Sequence, residues 1–284
     1  GVPRFDRGPM AGGRSMTAAF MVGWERLRHG GLLLDAVRLR RIAECEPETL
    51  PAFIEKELRR LSLAVFDRNE KDVTEFVGFV LEKVCGFTAA NGAWKRGTNV
   101  GSEWGRRVVT GETVKPRHLW CGSNRAVLPV FIDSESRLGI GRGRKAASQA
   151  LQWLRAGNEK LALLTNGRQF RLLFAGLDFD AWCEWDVDLW FEEGRLSSQV
   201  DVLRTLLSPD LWTPPAAEAQ APLLTAILDS RKGQSELSAV LGERVREAVE
   251  LLVQGHGEAL KEISREVDRK SVVEGKSVDL GGRR

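Results

Sequence analysis

The sequence has no tyrosine, only three histidines and four cysteines in 284 residues. Cys45, Cys85, Cys121 and Cys183 are widely spaced without a CxxC pair, and only His29, His118 and His256 could join them, so zinc-ligand spacing is missing. The thiols are expected to be reduced and mostly buried, as in a cytoplasmic protein. No apolar run approaches the roughly 20 residues needed to span a bilayer. No charged-then-apolar leader precedes a small-residue cleavage site, so a cytoplasmic location with no membrane partner is expected. Nor is there a large excess of one charge: 42 basic and 39 acidic residues leave a net +3, and partners must be argued from local clusters. What is present, 43% apolar and 29% charged residues, is the balance of a soluble globular protein with one large or two ordinary domains.

The two ends differ from the rest. "GVPRFDRGPMAGGRSM" is rich in Gly, Pro and Arg without apolar period, and residues 1–20 are expected to be a disordered or non-native leader, with a start at Met16 or Met21. "DRKSVVEGKSVDLGGRR", Asp268 to Arg284, resembles the translation of a common sequencing adapter. On that reading the reading frame is interrupted near Val267 and the natural protein continues.

Between the ends, Leu50, Phe53, Ile54, Leu58, Leu61 and Val65 follow helical spacing, and Val73, Phe76, Val77, Val80, Leu81 and Val84 repeat it before a stop at Gly86. Two helices are thus expected to open the domain. "AVLPVFID" has strand length, with Pro129 suggesting an edge or bulge. "RKAASQALQWLRAG" reads as a helix, and "KLALLTNG" and "RQFRLLFAG" as strands joined by a tight Asn166-Gly167 turn. "DAWCEWDVDLWF" reads as a half-buried strand with Trp182, Trp185 and Trp190 in the core and Asp178, Asp180, Glu184, Asp186 and Asp188 solvated. "SSQVDVLRTLLS" suggests a capped helix. After the Pro-rich "LWTPPAAEAQAP", residues 213–267 read as a hinge and helical connector. The order of elements is α/β.

Several features carry chemistry. Lys115-Pro116 precedes a strand; the next strand ends at Asp133; Gln149 is followed four residues later by Trp153; and Thr165-Asn166-Gly167 ends a strand with Phe170 soon after. In this order they resemble the endonuclease-like domain of type I restriction subunits and type IIG enzymes. Taken whole, Leu61 to Gly194 resembles the amino-terminal part of Eco57I-type restriction-modification methylases, including those of DISARM and BREX phage-defence systems. The resemblance implies a restriction-endonuclease-like, PD-(D/E)xK-type α/β fold over residues 21–212. It implies an N-terminal fragment of a DNA adenine methyltransferase whose S-adenosylmethionine and methylase motifs lie elsewhere. No Asn/Asp-Pro-Pro-Tyr/Phe motif and no glycine-rich loop after a strand occurs here, so the fragment itself should hold no cofactor.

In such nucleases carboxylates at a strand end hold Mg²⁺ and a lysine steadies the phosphate. Here Arg117 stands where the family has aspartate, and "IDSESR" lets either Asp133 or Glu135 be the acid, with no lysine following in register. Asp133, Glu135 and Gln149 are therefore expected to form a degenerate nuclease site, with Asp133 and Glu135 as the metal ligands if it is active. Arg142, Arg144 and Lys145 of "GIGRGRK" and Lys115 and Arg117 are expected to meet the backbone of double-stranded DNA, the bland alternative being solvated basic loops. Arg106, Arg107 and His118 would extend that basic group. Two rival functions stay open: a module that docks defence-system subunits without touching DNA, and an active Mg²⁺-dependent endonuclease.

Overall fold

The computed structural model describes residues 12–255 apart from 45, 46, 68, 134–136, 140, 142 and 193. Glu135, Arg142, Cys45 and the adapter-like tail lie outside the described residues. The chain divides into two compact units, one ending at Arg231 and one beginning at Lys232.

The first unit is built on a seven-stranded mixed sheet of order β1-β9-β8-β7-β6-β5-β2. Its strands are β1 (Arg28–Gly30), β2 (Gly92–Arg96), β5 (His118–Gly122), β6 (Val127–Ile132), β7 (Leu161–Thr165), β8 (Gln169–Ala175) and β9 (Asp180–Asp186). Two short hairpins stand outside it: β3 (Arg106–Arg107) with β4 (Thr113–Val114), and β10 (Phe191–Glu192) with β11 (Arg195–Leu196). Neighbouring strands run antiparallel except β6 and β7, which are parallel and joined by helix α5 (Gly143–Arg155). Pro129, expected at an edge or bulge, sits inside the sheet. The parallel ladder with β7 begins only at Val130, so the missing N–H interrupts nothing on that side.

Four helices rather than two precede the sheet's main strands: α1 (Gly12–Glu25), α2 (Ala36–Ala43), α3 (Ala52–Ala64) and α4 (Glu70–Phe79). α1 begins inside the stretch expected to be a leader. α2 escapes periodicity because it is only eight residues long; Asp35 caps it by accepting from the Val37 and Arg38 N–H groups. In α3 and α4 the period holds, and Leu58, Leu61, Val73, Phe76 and Val77 are buried, although Phe53 is exposed. The backbone widens to a π-helical turn over Val80–Val84 and stops at Gly86, whose φ of +86° is the left-handed conformation glycine adopts freely.

These helices, with α6 (Ser198–Leu206), α7 (Pro209–Trp212) and the start of α8 (Pro222–Gly255), form the larger core on one sheet face. α5 covers the other face, where Trp153, Leu154 and Ala150 pack on Phe131, Ala162, Leu164 and Leu173. The expected cap of α6 is absent: Ser197 stands at the N-cap, but its hydroxyl makes no hydrogen bond. Beyond Lys232, α8 presents Leu237, Val240, Leu241, Val245, Val249 and Leu252 exposed along its length. No described helix is long and apolar enough to cross a membrane.

Because both sheet faces are covered, β9 is not half-buried. Trp185 faces the larger core, while the alternate residue Glu184 is only 2% exposed, which overturns its expected place on a solvated face. Its carboxylate accepts from Arg171 Nε (2.8 Å) and Gln169 Nε2 (2.7 Å), two partners on β8.

Candidate functional site

The Thr165-Asn166-Gly167 motif is a turn whose side chains do the work of a backbone. Asn166 Oδ1 accepts from the Arg168 and Gln169 N–H groups, and Thr165 Oγ1 accepts from the Gly167 N–H and donates to the Gln169 carbonyl. Gly167 has φ +82°, and a Cβ there would lie 3.1 Å from the Val73 methyl groups of α4. The turn also sets Gln169, whose Oε1 accepts from the Leu138 N–H at 2.9 Å. Leu138 belongs to the loop that follows Asp133. Gly139, with φ +75°, packs so closely on Arg171 that a Cβ would meet the guanidinium at 2.9 Å. The buried Arg171–Gln169–Glu184 network thus holds the loop between β6 and α5.

Asp133 follows the last residue of β6, and its N–H donates to the Thr165 carbonyl of β7 at 2.9 Å. This is the carboxyl end of the parallel pair, the edge at which open α/β sheets gather ligands. A cleft of about 570 Å³ opens here, and Lys115, Arg117, Asp133, Lys145 and Gln149 line it over a floor of Phe131 and Leu164. Five of the eight expected site residues therefore meet in one place. Strand alternation turns Asp133 to the same side as Phe131, towards α5, and Lys145 and Gln149 lie one turn apart on that helix. Arg144 is exposed in the first turn of α5 and is not among the lining residues.

The cations are already engaged. Lys115 Nζ donates to the Val100 carbonyl at 2.8 Å, Arg117 pairs with Glu70 of α4, and Lys145 Nζ lies 3.0 Å from Glu112 Oε1. Glu112, whose other oxygen accepts from Gln149 Nε2, is a site residue that the sequence does not announce. It lies in the β3–β4 hairpin, and no sequence spacing relates it to α5. The guanidinium of Arg106, in the same hairpin, pairs with Glu159 and lies 3.6 Å over the Trp153 ring.

Lys115, Arg117 and Lys145 stand at this strand end with the carboxylates of Asp133 and Glu112, and the described residues contain no cluster of three or more His, Cys, Asp or Glu arranged to hold a metal. Of the expected metal pair, Asp133 lies at this strand end and Glu135 lies outside the described residues.

His118, expected in a loop, is 3% exposed within β5. Burial, opposed by a hydrogen bond with the Arg117 backbone and reinforced by the charges of Arg96 and Arg117, pushes its pKa from the ordinary 6.5 down to about 4. The folded protein therefore binds fewer protons than the unfolded chain, so the stabilisation is complete above pH 6.5 and is lost as pH falls to about 4. Urea unfolding of His118→Leu and the parent across this range should show the parent losing about 3 kcal/mol more; parallel curves would refute the buried neutral imidazole. Cys85 is pushed up to about 12 by burial and is an inert core thiol.

No family model, curated protein or solved structure matches the chain.

Proposed function

We propose that the first unit is a degenerate restriction-endonuclease-like domain that holds the backbone of duplex DNA in the cleft beside Asp133. On this reading it serves the methylase of a restriction-modification or phage-defence protein, to which S-adenosylmethionine chemistry belongs. The observation that carries the reading is the convergence of Lys115, Arg117, Asp133, Lys145 and Gln149 on one strand end. The chain path supports it. β5 follows Lys115-Pro116, β6 leads into Asp133, α5 carries Gln149 and Trp153, and β7 ends in Thr165-Asn166-Gly167, an order that agrees with the resemblance.

Phosphate contacts release counterions, so binding should weaken steeply between about 50 and 200 mM salt. Neutralising Lys115, Arg117 and Lys145 together should weaken binding about 100-fold at low salt and flatten the slope by about 2 to 3. Asp133→Ala should bind at least as tightly as the parent, because it removes an anion from an anion site. Binding indifferent to the triple substitution would overturn the reading, absence of binding would favour the docking module, and Mg²⁺-dependent cutting lost in Asp133→Ala would restore an active nuclease.

A further inference from the structure

The cleft's donors on α5 are occupied by an internal anion. Glu112 presents its two oxygens to Lys145 Nζ and Gln149 Nε2, the arrangement in which two oxygens of a phosphodiester would meet an ammonium and an amide. It is held in that position. Its turn is closed by the Gly111 N–H donating to the Val108 carbonyl and the Val108 N–H to the Glu112 carbonyl. The hairpin is clipped to α5 by the Val109 N–H on Gln152 Oε1 at 2.9 Å. Yet the pair itself is open to solvent, with Lys145 and Glu112 side chains 64% and 49% exposed. Such a pair is held weakly and yields to a stronger anion.

We propose that Lys145 and Gln149 form a seat for one backbone phosphate of nucleic acid, and that Glu112 fills this seat in the free protein and leaves it on binding. The inference rests on the reading of the cleft as a DNA-backbone site. Glu112 is then a built-in competitor that weakens non-productive contact with other polyanions.

The test is duplex-DNA affinity of the whole chain over a salt series, comparing the parent with Glu112→Gln, with Glu112→Gln/Lys145→Gln and with Glu236→Gln, an exposed change of equal charge on α8. Glu112→Gln should bind about three- to tenfold more tightly, with a salt slope steeper by about 0.9 for the one lysine released. The gain should vanish in the double variant and be missing from Glu236→Gln. If the parent binds and Glu112→Gln is no tighter, or the gain survives loss of Lys145, the seat is refuted while the cleft reading stands. If neither binds, both fall. Binding by Glu112→Gln alone would establish the seat and show that the free parent is locked against DNA.

Discussion

Replacing Glu184 with alanine is expected to destabilise the unit ending at Arg231 by about 3–5 kcal/mol, a fall in melting temperature of about 10 °C for a domain of this size. The size of the effect comes from what is left behind. Arg171 would keep its guanidinium in the interior, 4.0 Å over the Trp182 ring, with no counter-charge, and Gln169 Nε2 would lose its acceptor. The damage should also reach the cleft, because Arg171 and Gln169 both reach Leu138 in the loop after Asp133. Replacing the pair together, Arg171→Met with Glu184→Leu, should recover a large part of the loss, since two apolar groups of similar volume leave no buried charge. Urea unfolding of the parent and the two variants measures this. A double variant as unstable as Glu184→Ala would mean that the ion pair is not the source of the loss.

Much of the fold is legible in the sequence because local chemistry and tertiary role agree. The Val73–Val84 period, the Asn166-Gly167 turn and the helix carrying Gln149 and Trp153 each follow from a rule that acts within a few residues. Gln149 and Trp153, four residues apart, share a helix side on which one reaches the cleft and the other the core. Glu184 defeats the sequence reading because acids alternating with tryptophan look like a solvated face. What inverts that reading is Arg171 and Gln169 on the neighbouring strand together with the Leu138–Gly139 loop packed on them, and neither is a local signal. His118 misleads for a similar reason, since its loop-like neighbourhood in sequence becomes an inner strand only when β2 and β6 flank it. Glu112 joins Lys145 across 33 positions of chain, so its place becomes visible only when the hairpin lies against α5.

Trp153→Ala is expected to cost a comparable 3–5 kcal/mol, roughly the penalty of emptying a buried indole site. The ring is fully buried, with Phe131 edge-on at 5.4 Å and Trp104 stacked at 6.2 Å, and its Nε1 donates to the Trp104 carbonyl. Arg106 sits over its face and also donates to its carbonyl, so alanine would remove the surface on which a part-buried guanidinium rests. Trp153→Phe keeps an aromatic ring but not the N–H donor, and should cost about 1–2 kcal/mol. The pair of variants separates stability from positioning. Lys145, Gln149 and Trp153 are successive turns of one helix, so the buried ring fixes where the two donors stand. Trp153→Phe should therefore fold and bind DNA with the parent's salt slope. Trp153→Ala, measured well below its melting temperature, should bind more weakly with a flatter slope, because α5 no longer holds Lys145 against the cleft. An unchanged slope in folded Trp153→Ala would show that the hairpin and the Leu138 loop seat α5 without the indole.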